Sequence, residues 1–237
     1  MSNVVVLLSG GQDSTTCLYW AKQHLLDAGC KPPRIHALTL SYGQRHKAEI
    51  AAARKIAGIA NCVSHEVMQV DALIGAKSAL TDGSDIAASG GLADREAPDG
   101  LPTTFVPGRN LVFLALAAAH AARCDADYIV TGVCQTDYSG YPDCRLEFIH
   151  AMQGAINAAW PSGKPAPRIL VPLMHMTKAE TVAMSNAFPG CHEALAWSVT
   201  CYNGLRPGCG TCPACDLRVK GFREANVTDP AEYNGGV

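Results

Sequence analysis

The run Val4-Val5-Val6-Leu7-Leu8 stops at Ser9-Gly10-Gly11-Gln12-Asp13-Ser14, and a helix-compatible stretch, Thr15 to Leu26, follows at once. An apolar run, a glycine turn and a helix in that order predict a buried strand feeding a helix N-terminus. Adjacent glycines let backbone N–H groups converge on an anion, the serines add hydroxyl donors, and the helix start supplies a fixed positive partial charge. The segment is therefore expected to cradle the phosphates of a nucleotide. The residues expected around that nucleotide are Leu8, Ser9, Gly10, Gly11, Gln12, Asp13, Ser14, Thr15, Thr16, Cys17 and Leu18. A Walker loop would carry a lysine directly behind its glycines, whereas the first lysine here is Lys22.

The strand–helix alternation continues. Ile35–Ser41, Val63–Val67 and Tyr128–Thr131 read as strands, and Lys47–Ile59, Leu111–Arg123 and Leu146–Ala159 read as helices, with a short apolar segment at Ile169–Val171. This order predicts the α/β class, a parallel doubly wound sheet with helices on both faces and a ligand site at the carboxyl ends of the strands. The stretch Asp71–Thr104, rich in Gly, Ser, Ala and Asp, is too long for a plain connection and is expected to be a mobile lid. Pro161–Arg168 reads as a loop, and the tail after Asp229 is expected to fray. A chain of 237 residues fits one main domain, expected over 1–190, with a metal-binding C-terminal segment over 191–237.

A formal net charge of −2 provides no field able to hold a polyanion, so no nucleic-acid partner is expected. No leader pattern opens the sequence and no apolar stretch approaches the roughly 20 residues that span a bilayer, which predicts a cytoplasmic protein. Eleven cysteines, an odd number, fit a reducing compartment better than a disulfide framework. Four of them stand out: Cys201, Cys209, Cys212 and Cys215 form C-x₇-C-x₂-C-x₂-C. Four thiolates at this spacing can close a tetrahedral shell around Zn²⁺, with Gly204, Pro207, Gly208, Gly210 and Pro213 supplying tight turns. An iron–sulfur cluster is the competing occupant. A closed four-sulfur shell leaves no position for water, so a structural zinc, one per chain, is expected.

Three further segments put polar groups where a parallel sheet exposes them: Tyr42-Gly43-Gln44-Arg45-His46, Pro107-Gly108-Arg109-Asn110, and Asp137 through Arg145. The SGGQDS segment resembles the PP-loop of N-type ATP pyrophosphatases. Together with Thr177-Lys178-Ala179-Glu180, Trp197-Ser198-Val199-Thr200-Cys201-Tyr202 and the cysteine cluster, these motifs resemble the 7-cyano-7-deazaguanine synthase family of queuosine precursor biosynthesis. The match runs in order from about Val4 to Phe222. It departs at Trp-Ser-Val-Thr-Cys, one residue longer than the family's tighter form, and at the long loop Pro161–Arg168.

The resemblance implies an adenine nucleotide alpha hydrolase-like, Rossmann-like fold and a ligase that turns a deazapurine carboxylate and free ammonia into a nitrile, with ATP as co-substrate, Mg²⁺ and a homodimeric assembly. It places Asp13, Lys178 and Arg109 in the catalytic machinery, with Asp13 orienting Mg²⁺ or the loop and Lys178 reaching pyrophosphate from a helix start. Arg145 is a second candidate anion clamp. Asp137 or Asp143 could accept from a guanine-like edge while Tyr138 or Tyr141 stacks on its face. His46, His150 and His175 are read as structural partners. Sulfur transfer to tRNA would require an exposed thiolate, for which Cys144 is the candidate, and a basic RNA-binding surface. A non-enzymatic zinc module is disfavoured by the intact loop. An amidotransferase would need its own glutaminase domain, and position 2 is Ser2 rather than a nucleophilic cysteine.

Overall fold

The computed structural model describes residues 2–43, 47–73, 78, 80, 101, 104–135 and 141–233. Five strands, β1 (Asn3–Leu7), β2 (Arg34–Ser41), β3 (Ser64–Gln69), β4 (Tyr128–Val130) and β5 (Arg168–Leu170), form one sheet in the order β3-β2-β1-β4-β5. Every pairing is parallel, and Val5 of β1 lies opposite His36 on one side and Ile129 on the other. The chain steps outward from β1 to β3, then returns to the other side of β1 for β4. That reversal makes the edge between β1 and β4 a topological switch point, where the carboxyl ends open into a crevice.

The helices are α1 (Gln12–Asp27), α2 (Lys47–Ile59), α3 (Arg109–Arg123), α4 (Leu146–Ala159), α5 (Lys178–Ala187), α6 (Cys191–Leu195) and α7 (Pro213–Glu224). Strand period sorts the core into two layers. Val4 and Val6 face one layer with Leu18 of α1, Ile56 of α2, Val182 of α5, Leu195 of α6 and Phe222 of α7. Val5 faces the other with Leu114 of α3 and Ile149 and Met152 of α4. The sheet is therefore covered on both faces, the doubly wound arrangement that the alternation of elements implied.

The expected helices Lys47–Ile59 and Leu146–Ala159 are observed with those bounds, while other elements differ. Helix α1 starts at Gln12, three residues early, because Ser14 Oγ and Thr15 Oγ1 donate to the Gly11 carbonyl at 3.1 and 2.8 Å. Gln12, Asp13 and Ser14 thus form its first turn. The third strand is shifted onto Ser64–Gln69, a half-buried edge strand in which apolar content is a weak guide. Pro213, expected in a turn, instead opens α7 as its first residue, where its missing N–H has no bond to lose. The tail is tied as far as Tyr233, whose hydroxyl donates to Asp229 at 2.7 Å and whose backbone bridges to Gly208. The expected lid lies almost entirely outside the described residues. Among the described residues no helix is long and apolar enough to cross a membrane.

Candidate active site and metal centre

The loop after β1 is shaped from three sides. Gly10 has φ of +92°, the left-handed region that a side chain strains, and a Cβ there would run into the Glu49 carbonyl of α2. Gly132, beyond β4, leaves room for Asp13, since a Cβ would lie 3.2 to 3.3 Å from Asp13 and Ser14 atoms. The Val199 amide donates to the Gly10 carbonyl at 2.9 Å, which pins the loop to the segment leading into the cysteine cluster. Within the loop, Ser9 Oγ and Ser14 Oγ are 3.0 Å apart and the Gly11 amide donates to Ser9 Oγ at 3.3 Å. Leu8, Thr16, Cys17 and Leu18 are buried, so their side chains support the loop from beneath. Burial raises the Cys17 thiol, and the Asp13 charge raises it further. The Gln12 carboxamide is buried, and among the described residues neither its nitrogen nor its oxygen has a hydrogen-bond partner.

Lys178 reaches this loop from the first residue of α5. A capping box fixes that helix start: Glu180 donates its amide to Thr177 Oγ1 at 3.2 Å, and the Thr177 amide donates to Glu180 Oε2 at 2.7 Å. The ammonium lies 2.9 Å from both carboxylate oxygens of Asp13. The stem of Lys178 crosses α7 at Gly221, where a Cβ would meet Lys178 Cγ at 2.6 Å. A lone glycine inside a helical pattern was the available sequence signal for this crossing.

On the opposite wall, Arg109 bonds to the Tyr42 hydroxyl and sits 5.9 Å over the Tyr141 ring. Burial opposes the charge of Arg109, but Tyr42, Tyr141 and Asp143 outweigh it and raise its pKa. Asp143 Oδ2 accepts from the Asn110 amide at 3.1 Å, in the first turn of α3, and the Tyr141 hydroxyl is 2.6 Å from Thr104 Oγ1. Burial raises Tyr42 and Tyr141, each partly offset by Arg109. Arg109, Tyr141 and Asp143 are thus brought together. Arg145 Nη1 donates to the Gln135 carbonyl at 2.7 Å. Asp137 and Tyr138 lie outside the described residues. Glu49, which the sequence reading passed over, joins this wall through its electrostatic contact with Arg109 and Tyr42. Its signal was an acidic residue in the first turn of the helix directly after the Tyr42–His46 motif.

The Sγ atoms of Cys201, Cys209, Cys212 and Cys215 all lie within 4.8 Å of one another, and Cys209 and Cys215 are 3.9 Å apart. Four sulfurs around Zn²⁺ at about 2.3 Å stand about 3.8 Å apart, so the set fits a tetrahedral metal. The Thr211 amide and Asn203 Nδ2 approach Cys209 Sγ at 3.5 and 3.7 Å, and Cys215 lies in the first turn of α7, where the helix dipole favours a thiolate. Hydrogen bonds from Cys212 and Cys215 hold the Cys201 thiol well below its ordinary value.

A parallel doubly wound sheet with an SGGQDS loop at its switch point, crossed by a lysine on the loop aspartate, defines an α/β protein with a PP-type loop. The family model described as queuosine biosynthesis protein QueC matches residues 3–226, and the chain belongs to that family. It is 52% identical to a 7-cyano-7-deazaguanine synthase of Chromobacterium violaceum over 95% of this chain and 91% of the relative. It is 47% identical to a protein of the same name from Laribacter hongkongensis over 96% and 93%. Among solved structures, the U34-tRNA thiolase NcsA of Methanococcus maripaludis aligns over 78% of this chain and 55% of its own, at 13% identity and a TM-score of 0.46.

Proposed function

We propose that this chain is a C–N-bond-forming ligase that uses ATP and ammonia to convert 7-carboxy-7-deazaguanine to 7-cyano-7-deazaguanine in queuosine precursor synthesis. The observation that carries the reading is the family match across residues 3–226, within which the phosphate loop is intact and closed by Lys178. A carboxylate resists ammonia because its leaving group would be oxide. Its oxygen therefore attacks the α-phosphorus of ATP, pyrophosphate leaves, and an acyl adenylate forms. Ammonia then displaces AMP and gives an amide. Adenylation of the amide oxygen, with release of pyrophosphate and one proton from nitrogen, gives an O-adenylated imidate, and loss of AMP together with the second nitrogen proton leaves the nitrile.

In this reading the loop amides and the Ser9 and Ser14 hydroxyls hold the leaving pyrophosphate, and Asp13 keeps the Lys178 ammonium where charge accumulates on it. Arg109 holds the substrate carboxylate against the α-phosphate, an alignment that supplies much of the rate. Tyr141 offers a flat face and Asp143 an acceptor toward the base, with Asp137, Tyr138 and Arg145 as further candidates. Mg²⁺ would enter with the ATP phosphates and water. Among the described residues no acidic cluster exists to hold one, and Asp13 is engaged with Lys178.

Zn²⁺ is the occupant that suits the four cysteines. It would fasten the segment whose Val199 pins the loop. That role supports a division into a nucleotide-binding body over 1–190 and a metal-bearing segment over 191–237, since Cys201, Cys212, Ala214 and Cys215 form a small core of their own. The same reading makes the protein a cytoplasmic homodimer that works on small molecules without nucleic acid. Sulfur transfer is disfavoured because Cys144 is buried with Asn110 Nδ2 donating to its sulfur at 3.4 Å. The reading is tested by exchange of labelled pyrophosphate into ATP. Exchange that depends on 7-carboxy-7-deazaguanine is expected, and its absence with saturating acid and ATP would overturn the adenylation step.

A further inference from the structure

Glu49 is a carboxyl group in the wall of the site that the scheme above leaves unused. It lies in the first turn of α2, its own carbonyl oxygen is packed against Gly10 of the phosphate loop, and it is half-buried. Among the described residues, the charged or titratable groups acting on it are Arg109 of α3 and Tyr42 at the end of β2. Among the described residues no hydrogen bond or ion pair engages its carboxylate. Burial pushes its pKa up to about 7, with Arg109 only partly offsetting the rise. Its backbone lies on the phosphate loop and its carboxyl acts on the arginine assigned to the substrate carboxylate, the two groups between which the acyl adenylate must form. Groups of this kind, perturbed by desolvation and placed in a cleft, are suited to proton transfer near neutral pH.

We infer that Glu49 is the proton acceptor of the amide-forming step. This rests on the ligase reading. Ammonia nitrogen donates its lone pair to the acyl carbon, and the C–N bond forms. The bond from that carbon to the AMP oxygen breaks with its electron pair leaving on AMP, and a proton passes from nitrogen to a Glu49 oxygen. After that proton has passed to solvent, the same carboxylate takes the last nitrogen proton of the second cycle as the O-adenylated imidate loses AMP and the nitrile forms. Both steps need a base, and Asp13 is not available as one because both its oxygens accept from Lys178.

The test compares wild type with Glu49→Gln and Glu49→Asp in two assays at neutral pH. The first is pyrophosphate exchange dependent on the deazapurine acid, without ammonium. The second is amide and nitrile formation against ammonium concentration. Glu49→Gln is expected to retain exchange within a few fold while product formation falls about 10²- to 10⁴-fold, with Glu49→Asp recovering part of the loss. Retained exchange also shows that the variant is folded. Product formation by Glu49→Gln at the wild-type rate would overturn the assignment. Loss of exchange, or a raised KM for the acid alone, would overturn it too, by making Glu49 a ligand of the acid or of ATP. Wild-type protein lacking acid-dependent exchange would instead remove the ligase reading itself, and the base with it.

Discussion

Replacing Gly221 by alanine should disable the loop without unfolding the protein. Gly221 is buried inside α7, and an added Cβ would lie 2.6 Å from Lys178 Cγ and 3.1 Å from Lys178 Cβ. Carbon atoms at rest stand about 3.5–4.0 Å apart, so the lysine stem must retreat by about 1 Å. Alanine in a helix interior recovers about 1 kcal/mol relative to glycine, while crowding of this kind costs about 1–3 kcal/mol. The net loss of stability is then at most about 2 kcal/mol, and the variant remains folded. The ammonium, held at 2.9 Å from both Asp13 oxygens, cannot follow the stem and keep that geometry. A misplacement of about 1 Å can cost about 100-fold in rate. The assay is acid-dependent pyrophosphate exchange, with thermal unfolding measured alongside. A Gly221→Ala protein with wild-type exchange and an unchanged Tm would refute the claim that α7 positions Lys178.

Other consequences can be measured separately. Asp13→Ala removes a partner of Lys178 and should abolish turnover while leaving the circular dichroism and Tm within a few degrees of wild type; substantial activity would remove Asp13 from the machinery. Stripping the metal with a chelator, or changing Cys212 to Ser, should lower the Tm and raise the KM for ATP, because Val199 ties the cysteine segment to Gly10. Metal analysis should find one zinc per chain. Desolvation by burial lowers the pKa values of His36, His65 and His120, and for His120 this exceeds the opposing pull of Glu66. With folded values below the unfolded value of about 6.5, the stability these groups preserve is present above that pH. It falls as pH drops through the folded values, because the unfolded chain then binds more protons. His120→Gln should flatten the decline in Tm between about pH 7 and 5, and an unchanged slope would exclude that histidine as a contributor.

The glycine loop after β1 was legible because its pattern is local. Strand, glycines, serines and helix start are contiguous, and Gly10 is required by a backbone contact that any side chain would break. The cysteine cluster was legible for a similar reason, since metal geometry restricts ligand spacing. The pairing of Lys178 with Asp13, separated by 165 residues, depends on how α5 and α7 cross at Gly221, a lone helical glycine that marks a close approach without naming its partner. Glu49 was missed because an acidic residue in a helix's first turn ordinarily reads as a partner for the helix dipole. Its burial beside Arg109 arises only when α2 packs against the phosphate loop. Arg145 reads in the sequence as an anion clamp, but its backbone-directed hydrogen bond to the Gln135 carbonyl depends on tertiary structure and was not legible there.

The central claim is best tested by incubating the protein with 7-carboxy-7-deazaguanine, ammonium, ATP and Mg²⁺, following the base by mass spectrometry and the nucleotides by chromatography. Nitrile appearing with AMP and pyrophosphate, preceded by amide at early times, is the predicted result. An acid left unconverted while ATP binds, or product formed with ADP and phosphate, would contradict it.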